Sequence, residues 1–176
     1  MNSTIKDLLE RRSYRSFKPE QITDQELKTV LEAGIYAPTA ANRQLPQLIA
    51  IQNREDIALL SRLNAAVMGR DNDPFYGAPT VVVVFGKPGE QNFHTIKDAS
   101  LIMGNMLNAA HAIGLGGCWI DRAKEEFETE EGRELLKKYG FDPDEWVGVG
   151  NCILGYPEGE PRPATPRREG YYKIIK

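Results

Sequence analysis

Hydrophobic positions along this chain repeat with two periods, and their alternation predicts the elements. From Asp98 to Ile113, apolar residues stand at Ala99, Ile102, Met103, Met106, Ala110 and Ile113, the three-and-four spacing of a helix. Leu101, Leu107 and Ala109 widen the apolar surface beyond one face, which predicts a buried central helix. Gly104, Ala109, Ala110 and Ala112 remove side-chain bulk, so a second helix, from this chain or another copy, is expected against it. The continuous run Val81-Val82-Val83-Val84-Phe85 predicts a strand covered on both faces, at the centre of a sheet. Leu48–Ile51, Cys118–Ile120 and Trp146–Leu154 predict further strands.

Further helices are predicted near Thr4–Glu10, with Ile5, Leu8 and Leu9 on one side, and from about Asp56 to Val67, with Ile57, Leu60 and Leu63 inward. Between them, Thr23-Asp24-Gln25-Glu26 has the form of a capping box and leads into Leu27, Val30, Leu31, Gly34 and Ile35 at helical spacing. Another helix runs through Leu135, Leu136 and Tyr139 and closes at Gly140. The intervening Lys124–Glu131 is strongly charged and reads as a solvated face. Met68–Gly77 reads as a mobile loop, and Gly86–Gln91 as a turn-rich connector. The Pro-rich segment after Gly155 has no regular structure of its own and is expected as an extended arm, with Tyr171–Ile175 as a candidate edge strand on a partner subunit.

With 176 residues and 27% charged side chains, the chain fits one domain with a real core. A net charge of −3 argues against a general nucleic-acid binder. No apolar run approaches the roughly 20 residues of a membrane span, and residues 1–7 lack an apolar signal core, so a cytoplasmic protein is expected. Cys118 and Cys152 have no paired-motif spacing, and with only His94 and His111 a metal centre has few ligands; reduced, structural cysteines are expected.

Three stretches carry candidate chemistry. Arg11-Arg12-Ser13-Tyr14-Arg15 places three arginines in five residues of an acidic protein; their planar donors match phosphate oxygens, and a solvated basic turn is the alternative. Ala37-Pro38-Thr39-Ala40-Ala41-Asn42-Arg43-Gln44 is rich in amides, which can read a ring with carbonyl and imide edges; an ordinary helix-to-strand loop is equally compatible. Gly114-Leu115-Gly116-Gly117 leaves backbone N–H groups uncovered for a flat or anionic ligand, or is a helix stop entering a strand. These glycines follow a helix, so they are not a dinucleotide fingerprint.

Taken in order, Arg-Arg-Ser-x-Arg, Pro-Thr-x-x-Asn-x-Gln, Gly-Leu-Gly-Gly-Cys-Trp-Ile, and Leu-Gly-Tyr-Pro followed by Pro-Arg-Arg resemble the FMN-dependent nitroreductase family over nearly the whole chain. The resemblance implies a single α+β domain over residues 1–176, with a mostly antiparallel central sheet wrapped by helices and an arm from about residue 156. It also implies an intertwined homodimer with two FMN sites at the interface. By the resemblance, Arg11, Arg12, Ser13 and either Arg167 or Arg168 hold the phosphate, and Arg15 lies near the N1/O2 edge of the flavin. Pro38, Thr39, Ala40 and Asn42 come from the other subunit, Gln44 hydrogen-bonds the flavin, and backbone at Gly116, Gly117, Cys118 and Trp119 approaches its N5/O4 edge. The chain departs from the family at Leu45-Pro46, where Pro-Trp is common, and the departure bears on pocket shape and substrate preference.

The implied activity is that of an oxidoreductase, with NADH or NADPH delivering a hydride to flavin N5 and a nitroaromatic, quinone or flavin then taking the electrons in a ping-pong cycle. The flavin carries the chemistry and the protein supplies orientation and electrostatics, with Arg15 favouring the reduced form. A flavin reductase, another specialised FMN enzyme of the same fold, or a non-catalytic flavin-binding or sensing protein are the alternatives. His111, inside the central helix, reads as a packed or interface residue. No arrangement in the sequence offers a competing nucleophilic or paired-carboxylate mechanism.

Overall fold

The computed structural model describes residues 1–89 and 94–176. Its helices are α1 (Ser3–Glu10), α2 (Asp24–Ile35), α3 (Arg54–Met68), α4 (Thr95–Ala112), α5 (Ala123–Glu128) and α6 (Glu130–Lys138). Its strands are β1 (Gln47–Ile51), β2 (Thr80–Gly86), β3 (Gly116–Ile120) and β4 (Val147–Gly155), in one antiparallel sheet of order β1-β2-β4-β3. The α+β expectation holds, and β2 is interior and buried along its whole length. The connector expected at Gly86–Gln91 reaches into residues 90–93, outside the described residues.

The two-residue repeat of β2 divides the core. Val81, Val83 and Phe85 face a layer that includes Leu60, Phe127 and Leu136 from α3, α5 and α6; Val82 and Val84 face Val30, Met103 and Met106 from α2 and α4. Each such side chain contributes about 1.5–3 kcal/mol by leaving water. The helix expected against α4 is α2. Their close approach depends on Gly34, where a Cβ would stand 2.7 Å from Met106 Cγ, whereas Gly104 faces open space in this chain. Asn105 Nδ2 donates to Ala33 O at 3.0 Å and fixes the crossing.

Local signals set the ends of these helices. Thr23 and Glu26 form the expected reciprocal cap of α2. Helix α4 ends in a Schellman turn, with Gly114 N–H donating to His111 O and Leu115 N–H to Ala110 O, and Gly114 supplies the required left-handed φ of 83°.

One expectation needs correction. Residues 123–128 are not a solvated face: they form α5, with Ala123, Glu126 and Phe127 buried, because the charged residues between these inward positions mask a short amphipathic turn. In the 68–77 loop, Asp73 accepts from the N–H groups of Phe75 and Gly77 and from Ser61, and Phe75 is buried. Within one chain, Tyr171–Ile175 pairs with no strand among the described residues, and its Tyr171, Tyr172, Ile174 and Ile175 are exposed, as a segment destined for a partner's sheet would be.

Candidate functional site

Directly after α1, the backbone of Arg11–Lys18 crosses one end of the sheet. Ser13 bridges Gly117 in parallel, with Tyr14 N–H donating to Gly117 O at 3.2 Å, and Phe17 bridges Pro157 in antiparallel. This crossing explains the neighbouring glycines. A Cβ on Gly116 would stand 3.1 Å from Tyr14 and Phe17 side-chain atoms, and one on Gly155 would stand 2.9 Å from Phe17 and Pro79. Two motifs more than 100 residues apart in sequence therefore lie side by side.

The arginines have different fates. Arg12 Nη1 donates to Leu9 O at 2.8 Å and to Arg11 O at 2.7 Å, anchoring it at the C-terminal end of α1. Arg11 Nη1 is buried and has no hydrogen-bond partner among the described residues. A buried guanidinium nitrogen without an acceptor is costly, and an anion at this position relieves that cost. Arg15 is exposed and lines a cavity of about 250 Å³ together with Cys118, Trp119, Tyr76, Arg70 and Arg122. Trp119 is seated by Gly150, whose missing Cβ leaves room for the indole nitrogen at 2.6 Å from where it would be.

A larger groove of about 770 Å³ runs along α3 and shares Arg70 and Asn72 with this cavity, but none of the sequence-identified residues line it. The smaller cavity is the candidate site, because Arg15 and the 118–119 segment meet there.

The Pro38–Gln44 loop is elsewhere in this chain. Ala40 N–H donates to both oxygens of the buried Asp98, at 3.1 and 3.2 Å, in the first turn of α4. Gln44 N–H donates to Thr39 Oγ1 at 3.0 Å and Gln44 Nε2 to Asn42 Oδ1 at 3.0 Å. Ala41, Asn42 and Gln44 all have φ near +52°, a conformation that non-glycine residues hold at a cost of about 1–3 kcal/mol each where it persists. Pro38, Asn42 and Gln44 are exposed. Asp98 stands in the first turn of α4, whereas β3 follows the turn after its C-terminal end, and none of residues 38–44 lines the cavity.

Arg167 and Arg168 belong to the exposed arm, where Arg168 stacks over the Tyr171 ring at 5.2 Å. The structure brings neither to Arg11–Ser13 through a hydrogen bond or ion pair among the described residues.

Sequence reading missed several parts of this region. Arg70, Asn72 and Tyr76 enter the cavity from the 68–77 turn, whose mix of charges and amides was the available signal. A buried polar network also lies behind the cavity: Glu126, fully buried, accepts from Asn64 Nδ2 and from Asn151 Nδ2 at 2.9 and 3.1 Å. Burial pushes the Glu126 carboxyl up to about 7, against the opposing effects of the Asn64 and Asn151 hydrogen bonds and the Arg122 charge, with Glu125 adding to the rise. Both cysteines are buried and free, and burial, reinforced by Cys118, pushes the Cys152 thiol up. His111 is half-buried in the last turn of α4.

An antiparallel sheet covered by helices, with a basic, aromatic-walled cavity at the C-terminal end of one edge strand, defines an α+β class of protein. Comparison with known proteins narrows it. The Nitroreductase family profile matches residues 8–156. An Archaeoglobus fulgidus protein provisionally named NADH dehydrogenase/NAD(P)H nitroreductase is 30% identical over 161 residues, covering 91% of this chain and 88% of its own. Crystal structures of nitroreductases with bound FMN align over 100% of both chains: that from Bacteroides fragilis with a TM-score of 0.90 at 25% identity, and that from Desulfitobacterium hafniense with 0.88 at 26%. The chain belongs to the Nitroreductase family.

Proposed function

We propose that the protein is an FMN-dependent oxidoreductase that uses NADH or NADPH to reduce nitroaromatic, quinone or flavin acceptors in a ping-pong cycle, as a homodimer with two interfacial sites. The observation that carries this reading is the buried Arg11 Nη1, without a hydrogen-bond partner among the described residues, two residues before the Ser13–Gly117 bridge, together with the cavity of Arg15, Cys118 and Trp119. This donor set fits FMN: a cation lacking an acceptor suits a phosphate, and a cavity walled by Trp119 and Tyr76 suits a flat ring. When bound, FMN supplies the two-electron chemistry that links the nicotinamide donor to the acceptor.

The chain's own residues bind, orient and tune. Arg11 and Ser13 hold the phosphate, together with Arg12 and one of Arg167 and Arg168 from the arm. Arg15 contributes positive charge in the cavity, and the backbone of Gly116–Trp119 supplies fixed dipoles along one wall. Pro38, Thr39, Ala40, Asn42 and Gln44 serve the site of the second subunit, which agrees with none of them lining the cavity in one chain. Uncovered apolar surface also supports the dimer. Helix α1 has no buried residue, with Ile5, Leu8 and Leu9 exposed, and Leu101 beside Gly104 on α4 is 49% exposed. A helix of 8 residues is not stable in water without packing, so a second copy is the natural cover for α1. Among the described residues, no helix is long and apolar enough to cross a membrane.

The test is an absorption spectrum of the purified protein before and after anaerobic addition of NADH or NADPH, with sedimentation to establish the oligomer. A dimer with a flavin spectrum that bleaches on turnover is expected. A protein that refuses added FMN refutes the cofactor, and one that binds FMN yet ignores both nicotinamides refutes the enzymatic reading.

A further inference from the structure

Arg122 lies outside every motif in the sequence, and its environment is unusually constrained. It precedes α5 with left-handed backbone at φ 78°. Its Nε donates to Asn64 Oδ1 at 3.0 Å, while Asn64 Nδ2 donates to Asp121 O at 2.8 Å and to Glu126. Both ends of the Asn64 amide are engaged, so it cannot flip without losing these bonds. Glu126 is in turn fixed from the sheet by Asn151.

Close backbone contact immobilises α5 as well. A Cβ on Gly148 would stand 2.5 Å from the Ala123 carbonyl carbon, and one on Gly132 would overlap the Glu126 backbone. At the outer end of this network, the terminal nitrogens of Arg122 take no protein hydrogen bond among the described residues. Arg15, Arg70 and Arg122 line the cavity together with Asp121, three basic residues to one acidic. Such an excess of positive charge in a confined space favours an anionic occupant.

We propose that Arg122 is a further cofactor-side cation of this cavity, and that Asn64 and Glu126 are positioning residues that hold it in the cavity wall. The proposal rests on the FMN reading above. The groups facing Glu126 are Asn64 from α3, Asn151 from β4 and Arg122 and Glu125 from its own segment, while α6 presents Gly132. Arg122 is therefore the nearby cation through which the network reaches the site.

The experiment measures the FMN dissociation constant and the midpoint potential of the holoprotein in a set of variants. Arg122→Gln is expected to weaken FMN binding about tenfold, the scale of one charge-assisted hydrogen bond. A tenfold preference lost from the reduced state corresponds to a potential about 30 mV lower. Arg122→Lys keeps the charge but loses the Nε–H held by Asn64, and is expected to resemble Arg122→Gln. Asn64→Ala should match Arg122→Gln, with the double variant within about twofold of either because both remove the same arrangement. Glu126→Ala should fall with them and Glu126→Gln should recover most of the affinity, since its amide oxygen still accepts from Asn64.

Wild-type affinity and potential in Arg122→Lys overturn the positioning role, and so do effects of Asn64→Ala and Arg122→Gln that multiply. If Asn64→Ala does not fold, the two Arg122 variants decide the matter. A wild-type protein that takes no FMN refutes the functional reading itself; wild-type binding with unchanged Arg122 variants refutes this inference alone.

Discussion

Replacing Glu126 by Gln tests whether a carboxyl group is confined in this core. Burial raises its pKa from the ordinary 4.5 to about 7, so the folded state holds the proton more tightly than the unfolded chain does. The associated stability is fully present below about pH 4.5 and is lost as pH rises through about 7, when both states are ionised and the folded one carries a buried charge. At about 1.36 kcal/mol per pH unit, the rise corresponds to roughly 3 kcal/mol in total, of which about 2.5 kcal/mol is lost between about pH 5 and pH 8. Gln accepts at the same oxygen position without titrating. Urea unfolding of both proteins with saturating FMN, at the two pH values, gives the comparison. Wild type should lose about 2.5 kcal/mol more than the variant on the way to pH 8. Carboxylates such as Asp56 and Glu26, whose pKa values are lowered, titrate in both proteins and cancel from the difference. Parallel profiles that differ by less than about 0.5 kcal/mol would mean that Glu126 is hydrated or already ionised, and would refute the reasoning.

Gly148→Ala should destabilise the fold by about 1–3 kcal/mol in thermal or urea unfolding, because the new methyl meets the Ala123 backbone and α5 must lift from β4; an unchanged midpoint would refute the tight docking. Asp98→Ala removes the acceptor of Ala40 N–H and should cost about 1–3 kcal/mol, while hydrogen exchange across residues 39–44 accelerates; unaltered exchange would mean that the loop holds its strained backbone without this tether. Arg15→Gln should lower the midpoint potential of bound FMN by tens of millivolts and slow reduction by NAD(P)H, since about 1.4 kcal/mol corresponds to roughly 30 mV for a two-electron couple. An unchanged potential would remove that role from Arg15.

Much of the framework is local and was legible in the sequence. The period of α4, the β-branched run of β2, the capping box of α2 and the glycine stop after α4 each act within a few residues, so pattern and composition determine them. The order of the basic, amide-rich and glycine-rich motifs carried the family resemblance. Tertiary structure decided which motifs meet. Ser13 lies beside Gly117 because the chain after α1 crosses the sheet end, and the 38–44 loop is anchored to Asp98 at the far end of α4. No local rule encodes either juxtaposition, because each depends on how helices of fixed length stack on the sheet. The same holds for α5, where charge concealed the inward positions of Glu126 and Phe127. A glutamate in a charged segment carries no sequence mark of burial; only the docking of α5 on Gly148 and the amides of Asn64 and Asn151 turn it into a core residue.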